Sequence, residues 1–244
     1  PAHVEAMDLV IFRENTEGFY AVRNMHDGLG EFMPTEDMAI AVRRITRRCS
    51  ERIARQACEL AVQRRGLLSI VHKSNVLTMS DGFFVGICKE VASDYKLEVD
   101  EYFVDAMTAL LVRKPDYFDV IVTTNLFGDI ISDLAAELSG GLGLGPSVNA
   151  GDENAMAQAA HGAAPDIAGQ NIANPTAMIL SVGMLLDTLG IRHNRPELLE
   201  ASKRIDKAVD AQLKEKGGRT PDLGGPLGTD AFGAGVAKKV KDGA

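Results

Sequence analysis

Short runs of apolar and β-branched residues alternate along this chain with longer segments in which apolar residues recur every three or four positions. Such short runs are typical of buried strands, and the longer period indicates amphipathic helices. Strands are predicted at 8–12, 67–71 and 120–124. Helices are predicted at 35–65, 80–94, 105–114, 129–139, 175–190, 196–216 and 230–240. This alternation predicts an α/β fold.

Residues 21–34 interrupt the pattern with Gly28, Gly30 and Pro34, and they are predicted to form a loop or a β-arm. The helix predicted at 35–65 has an apolar stripe, and its many arginines are expected to form a solvated face rather than a nucleic-acid site. In the helix predicted at 80–94, Ser80 and Asp81 are expected to form the cap. The residues expected to face inward there are Phe83, Phe84, Ile87 and Val91.

The composition is that of an ordinary folded protein, with 45% hydrophobic and 25% charged residues among 244. The net charge of −8 argues against a general nucleic-acid binder, and no apolar run approaches the length of a membrane span. Cys49, Cys58 and Cys88 form no C-x-x-C pair, so they are expected to be reduced thiols in a reducing compartment, the cytoplasm.

The run from Asn125 to Leu134, Asn-Leu-Phe-Gly-Asp-Ile-Ile-Ser-Asp-Leu, carries the most specific chemistry. Asp129 and Asp133 are four residues apart on a predicted helix, so both carboxylates leave from one face. Like charges at that spacing repel unless a cation lies between them, and a hard divalent ion prefers oxygen ligands. Alternatively, Asp129 is a helix N-cap and Asp133 a solvated acid in the first turn.

This run, with the glycines at 140–143, resembles the signature of the isocitrate and isopropylmalate dehydrogenases, which decarboxylate 2-hydroxy acids. The resemblance extends from Arg-Glu-Asn-Thr-Glu-Gly at 13–18 to Arg-Thr-Pro-Asp-Leu-Gly-Gly at 219–225. It implies a two-domain isopropylmalate-dehydrogenase-like α/β fold, with the active site in the cleft between the domains. Residues 1–140 would form the smaller, dimer-forming domain with a clasp arm. Residues 141–244 would be the C-terminal part of the larger cofactor domain, in a chain that lacks the relatives' N-terminal part.

The resemblance also assigns roles in substrate binding and proton transfer. Arg13 would bind a substrate carboxylate, for which its planar fork is suited, and Asn75 would contact the substrate or the nicotinamide. Tyr20 would be the general acid that protonates carbon after CO₂ leaves, and Lys73 would help to remove the hydroxyl proton. The alternatives are that Arg13 pairs with a neighbouring glutamate, that Tyr20 is a half-buried ring and that Lys73 is a surface lysine.

The metal site implied by the resemblance contains three aspartates, Asp105, Asp129 and Asp133, which would bind Mg²⁺ or Mn²⁺. In the family, the equivalents of Lys73 and Asp105 act in the active site of the neighbouring subunit. The implied catalytic unit is therefore a homodimer with shared active sites.

A loop after residue 160 resembles the adenosine-binding loop of the family, with NAD as the cofactor. Asp166 favours NAD over NADP because a carboxylate accepts hydrogen bonds from ribose hydroxyls and repels a 2′-phosphate. The alternative is an Asp in an ordinary turn. Residues 157–160 lack the glutamate that relatives often carry. The glycines at 140–145 follow a helix and are not a Rossmann fingerprint. The candidate cofactor residues are His161, Gly162, Ala164, Pro165, Asp166, Ile167 and Asn174.

Together, these features predict an NAD-dependent, Mg²⁺- or Mn²⁺-dependent oxidative decarboxylase. Its substrate would be an (R)-malate-type 2-hydroxy acid, a small dicarboxylic or tricarboxylic acid such as isocitrate, homoisocitrate, tartrate, D-malate or 3-isopropylmalate. No nucleic-acid or membrane partner is expected. Two alternatives remain at this stage: a non-catalytic regulatory subunit, and a dimerising fragment without activity.

Overall fold

The computed structural model describes residues 7–20 and 25–243. They divide into two compact units, with the division between residues 135 and 136. The strands are β1 (Val10–Arg13), β2 (Glu31–Thr35), β3 (Met38–Ala41), β4 (Leu67–His72), β5 (Glu98–Phe103), β6 (Val120–Thr123), β7 (Pro146–Ala150) and β8 (Ala155–Ala159). The helices are α1 (Arg47–Gln63), α2 (Ser80–Ala92), α3 (Val104–Arg113), α4 (Asn125–Ser139), α5 (Thr176–Arg192), α6 (Pro196–Lys214) and α7 (Thr229–Asp242). The α/β fold class is confirmed.

The first unit is built on a parallel sheet with the strand order β1-β6-β4-β5. β4 and β6 are buried along their whole length, which explains their continuous apolar sequences. β5 lies at one edge of this sheet, and its residues are exposed or partly buried. One hydrophobic core lies between the sheet and the helices α1 and α2. Its members include Ala54, Ala57, Cys58, Leu68, Ile70, Phe84, Ile87, Cys88, Val120 and Val122.

The prediction of one helix over 35–65 was wrong in its first part. Residues 38–41 form β3, which pairs antiparallel with β2, and α1 begins only at Arg47. Met38 and Ile40 are two positions apart, which is the period of a strand rather than that of a helix. The helix starts where the side chain of Thr46 accepts a hydrogen bond from the Cys49 amide at 3.4 Å. The β-arm predicted over 21–34 is confirmed at β2, and residues 21–24 lie outside the described part.

The second unit contains a hairpin and three helices in its described part. β7 and β8 form the antiparallel hairpin, and α5 packs against both of these strands and against α6. α7 packs on α6 around a core that includes Val209 and Phe232. Ser181 of α5 is buried and accepts a hydrogen bond from the Ser147 amide at 3.0 Å, which fixes the hairpin to the helix.

Cys49, Cys58 and Cys88 are free thiols. Burial raises the pKa of Cys58 to about 11 and raises that of Cys88 further, so both thiols stay protonated. None of the helices in the described ranges is both long and apolar enough to cross a membrane.

Candidate active site

The four parallel strands all end at the same side of the sheet, its carboxyl-terminal edge. Each strand leads there to a residue with a predicted role. β1 ends at Arg13, β4 is followed by Lys73, and β5 runs into the first turn of α3, which contains Asp105. β6 leads into α4, which carries Asp129 and Asp133. The last residue of β1 lies opposite the last residue of β6, and β4 and β5 end level with each other. In parallel α/β sheets this edge is where ligands bind.

The first cluster at this edge joins Arg13, Tyr20, Asn125 and Asp129. Arg13 Nη1 donates to Asp129 Oδ1 at 2.5 Å, and Arg13 Nε donates to Asn125 Oδ1 at 2.8 Å. The Tyr20 hydroxyl donates to the other carboxylate oxygen, Asp129 Oδ2, at 2.6 Å. The guanidinium carbon of Arg13 lies 5.1 Å from the centre of the Tyr20 ring. The predicted substrate-binding, acid and metal-binding residues are therefore in direct contact.

The start of α4 makes this cluster possible. Residues 125–128, which were predicted to be a loop, form the first turn of the helix, since the Gly128 amide donates to the Thr124 carbonyl at 2.9 Å. Asp129 therefore lies inside the helix, and its interpretation as an N-cap was wrong. A Cβ atom at Gly128 would lie 2.6 Å from Arg13 Cγ, so only glycine lets Arg13 cross this turn.

Asn125 is a member of the cluster that the sequence analysis missed. Its side chain is buried, and its Nδ2 atom donates to the Glu17 carbonyl at 2.8 Å while its Oδ1 atom accepts from Arg13. It thus fixes both Arg13 and the loop that carries Tyr20. The available signal was its position directly after a buried strand, where a polar side chain must find partners.

The neighbouring glutamates are not the partners of Arg13. Glu14 is buried and pairs with Arg52 at 3.1 Å, while Glu17 accepts hydrogen bonds from the amide and hydroxyl of Thr46 at 2.8 and 2.9 Å. Both glutamates attach the loop to the start of α1. The alternative in which Arg13 pairs with a neighbouring glutamate was therefore wrong.

The environment of Tyr20 keeps its phenol protonated. The hydrogen bond to Asp129 is the largest effect that raises the pKa of Tyr20 above its ordinary value. Desolvation and the negative charge of Asp129 act in the same direction, and the positive charge of Arg13 opposes them. Half of Tyr20 is exposed, so the hydroxyl combines a retained proton with access from solvent. These are properties of a general acid.

Asp129 and Asp133 provide carboxylate oxygens that suit a divalent cation as ligands. Each Asp129 oxygen receives one hydrogen bond, although a carboxylate has about four lone-pair positions. Asp133 is exposed one helical turn further on the same face. In the described ranges, no three His, Cys, Asp or Glu side chains form a group that could hold a metal ion. Asp105 thus does not join Asp129 and Asp133 within one chain.

The second cluster at this edge is an ion pair between Lys73 and Asp105. Lys73 Nζ donates to Asp105 Oδ1 at 2.6 Å and lies 5.6 Å from the centre of the Phe103 ring. The hydrogen bond from Lys73 is the main reason that the pKa of Asp105 is lowered. Asp105 is largely exposed, and Asn75 is exposed two residues beyond Lys73. The pair is therefore open to an approaching molecule.

The predicted cofactor residues form an exposed loop in the second unit. Residues 165–167 make a single 3₁₀ turn that contains Asp166, and Ala164 before it has a φ of 43°. A left-handed conformation at a residue other than glycine costs energy and is concentrated at binding sites. His161 Nδ1 lies 2.9 Å from the Gly162 carbonyl oxygen.

The end of this loop is attached to the segment at 219–229. Asn174 Nδ2 donates to Asp222 Oδ2 at 3.0 Å, and the Thr229 amide donates to the Asn171 carbonyl at 3.0 Å. The two motifs that resemble the family's adenosine site therefore lie together in this unit.

Comparisons with known proteins agree with this arrangement. The family model described as isocitrate/isopropylmalate dehydrogenase matches residues 1–236. The chain is 50% identical over 243 residues to an isocitrate/homoisocitrate dehydrogenase of Thermus thermophilus, covering 99% of this chain and 68% of the relative. It is 48% identical to a 3-isopropylmalate dehydrogenase of Archaeoglobus fulgidus, covering 95% and 67% of the two chains. The chain belongs to the isocitrate/isopropylmalate dehydrogenase family.

A solved structure supports the same conclusion. The isocitrate dehydrogenase of Methylococcus capsulatus matches with a TM-score of 0.87 and 40% identity, over 98% of this chain and 68% of that one. The chain thus spans about two thirds of the length of these family members. Their names cover different acids, so membership of this family of decarboxylating dehydrogenases does not by itself select the substrate.

Proposed function

We propose that the protein is an NAD-dependent and Mg²⁺- or Mn²⁺-dependent oxidative decarboxylase of an (R)-malate-type 2-hydroxy acid. The observation that carries this proposal is the contact of Asp129 with both Arg13 and Tyr20. A carboxylate binder, a proton donor and a metal-binding carboxylate meet at the ligand-binding edge of the sheet. The substrates to consider are isocitrate, homoisocitrate, tartrate, D-malate and 3-isopropylmalate.

Each residue has a distinct task in this reaction. Arg13 binds a substrate carboxylate and so orients the acid, and Asn75 contacts the substrate beside the nicotinamide. Lys73 takes part in removing the hydroxyl proton as carbon 2 is oxidised. After CO₂ leaves, the Tyr20 hydroxyl donates its proton to the carbon that carried the carboxylate. Bound NAD⁺ would accept the two electrons as hydride, and a divalent ion would stabilise the negative charge on the substrate oxygens.

The cofactor and the metal are assigned to separate groups of residues. Asp129, Asp133 and a second subunit's copy of Asp105 would hold the metal. The loop at 161–174 would hold the adenosine part of NAD, with Asp166 at the ribose. The exposed Lys73–Asp105 pair is consistent with a homodimer in which each subunit completes the site of the other.

The direct test is to assay the full-length protein with the five acids, NAD⁺ or NADP⁺, and Mg²⁺ or Mn²⁺. NADH absorbance and released CO₂ should rise in equal amounts with at least one acid, and a chelator should stop both. Reduction of NAD⁺ without CO₂ would exclude the decarboxylase, and no turnover with any acid would exclude the proposed substrate class.

Asp166→Lys is expected to shift cofactor preference from NAD⁺ towards NADP⁺. The substitution removes an acceptor for the ribose hydroxyls and replaces repulsion of a 2′-phosphate by attraction. At a partly exposed and screened site this changes the ratio of kcat/KM for the two cofactors by roughly ten- to a hundredfold.

The matched control is Asp152→Lys, which makes the same change of charge in the exposed turn between β7 and β8. Its cofactor ratio should equal that of the wild type. A wild type that already prefers NADP⁺, or an Asp166→Lys ratio no different from that of the control, would contradict this role for Asp166.

A further inference from the structure

Asp81 is completely buried at the start of α2, and its two carboxylate oxygens have different partners. Oδ2 accepts a hydrogen bond from the backbone amide of Lys73 at 2.6 Å. Oδ1 accepts a hydrogen bond from the guanidinium group of Arg43. A buried carboxylate is costly unless it is paired in this way. Asp81 therefore connects the end of β4 to Arg43. The prediction that Ser80 and Asp81 cap α2 was wrong, since no side chain forms a capping hydrogen bond at the start of this helix.

Arg43 is also buried, with 6% of its side chain exposed. Besides Asp81, it donates to the Ser80 hydroxyl at 2.9 Å and to the Thr124 hydroxyl at 2.8 Å. Its guanidinium carbon lies 5.7 Å from the centre of the Phe19 ring and 5.5 Å from that of Phe127. The planar fork of arginine can serve all of these partners at once, which the single ammonium group of a lysine cannot.

These contacts lead to three chain segments with proposed catalytic residues. Phe19 directly precedes Tyr20, and Thr124 directly precedes α4, which carries Asp129. The third segment is Lys73 itself, through its amide. Arg43 is part of none of the family motifs identified above, and it was expected on a solvated helix face.

We propose that the buried Arg43–Asp81 pair positions the catalytic segments of each subunit. It holds Lys73, which serves the partner's site in the proposed dimer, in a fixed position relative to the segment that carries Tyr20 and the first turn of α4, which serve the subunit's own site. This inference rests on the catalytic roles proposed above. Both residues act through others, since their charged groups are used in contacts with the protein.

Asp81→Asn tests the pair because asparagine keeps the size and an acceptor for the Lys73 amide but loses the charge opposite Arg43. A displacement of catalytic groups by about 1 Å can lower the rate by up to roughly a hundredfold. We expect kcat of the full-length protein to fall by roughly ten- to a hundredfold. The KM for NAD⁺ should stay near the wild-type value, because the cofactor loop belongs to the other unit. Arg43→Lys should act in the same direction.

Asp119→Asn is the matched control. Asp119 is also fully buried and accepts hydrogen bonds from Arg64 Nε at 2.7 Å and from the Arg65 amide at 2.8 Å. It directly precedes β6, at the end of the sheet opposite the site. It should lower the melting temperature by an amount comparable to Asp81→Asn and leave kcat near the wild-type value. Equal values of kcat in the two variants would reduce the Arg43–Asp81 pair to a role in stability.

Hydrogen–deuterium exchange of the three proteins provides a measurement that needs no activity. Asp81→Asn should accelerate exchange at 73–79 and also at 124–130, whereas Asp119→Asn should leave both segments protected. Acceleration confined to 73–79 would overturn the proposal, because Asp81 would then hold only the segment after β4 and not the first turn of α4. A wild type without turnover would refute the proposed reaction, and the exchange pattern would still decide whether the pair connects the two segments.

Discussion

Replacing Asp129 and Asp133 together by alanine is expected to lower turnover of the full-length protein by roughly a thousandfold or more. The two carboxylates on α4 are the oxygen ligands that would hold the divalent ion, so their joint removal takes away both ligands that this chain would contribute from α4. Mn²⁺ binding, measured by calorimetric titration, should be lost together with turnover.

Asp133→Ala alone refines this experiment. Asp129 contacts Arg13 and Tyr20, so its removal also disturbs two other proposed catalytic residues. Removing Asp133 leaves that cluster intact. A loss of Mn²⁺ affinity in this single variant would therefore be an effect on the metal site itself.

The control is the double replacement of Asp206 and Asp210 by alanine. These acids are exposed and have the same four-residue spacing on α6. The control removes an equal amount of negative charge and should leave turnover and Mn²⁺ affinity unchanged. Metal-dependent turnover of the Asp129/Asp133 variant within a few-fold of the control would exclude these aspartates as metal ligands.

The central strands could be predicted from sequence because burial on both faces leaves a simple signal. β4 and β6 are fully buried, and their runs of apolar residues are distinctive. The hairpin of β7 and β8 was not predicted. Its strands consist mainly of alanine, serine, asparagine and glutamine, with Val148 as their one β-branched residue, and they are held by the buried Ser181 of α5. Tertiary contacts decide such segments, and local sequence does not contain them.

Local patterns also misplaced individual side chains. Phe83 was expected to face inward, yet it is 43% exposed, and the guanidinium carbon of Arg47 lies 5.9 Å from its ring centre. Phe84, Ile87 and Val91 are buried as predicted. An aromatic residue beside the apolar stripe of a helix can thus be covered by a neighbouring arginine instead of the core.

The candidate site shows the same limit. Arg13 and Asp129 could be nominated from the sequence, but their contact joins residues 116 positions apart. The partners of Asn125, Arg43 and Asp81 could not be named from the sequence, because only the folded sheet brings those partners together. Side chains that contact a ligand follow recognisable sequence patterns. The buried side chains that hold those ligand-contacting residues in place are found from the structure.

Tyr20→Phe is expected to slow formation of the decarboxylated product by roughly a hundred- to ten-thousandfold. The substitution removes only the hydroxyl, and the phenyl ring can still lie against the guanidinium of Arg13. Substrate affinity should therefore change little. Because the pKa of Tyr20 is raised, ionisation of this residue should not limit the wild-type rate below about pH 10.

The fate of the transferred proton identifies the acid more directly than the rate does. In D₂O the wild type should place deuterium on one face of the product carbon, because Tyr20 delivers it from a fixed position. In Tyr20→Phe any residual product should carry deuterium on both faces, since water would then be the donor.

Tyr117→Phe is the matched control, because it too removes a hydroxyl that donates to a carboxylate, Asp100 Oδ2, at 3.0 Å. It should keep both the rate and the single-faced labelling. If Tyr20→Phe also labels one face only, another residue of the site is the acid.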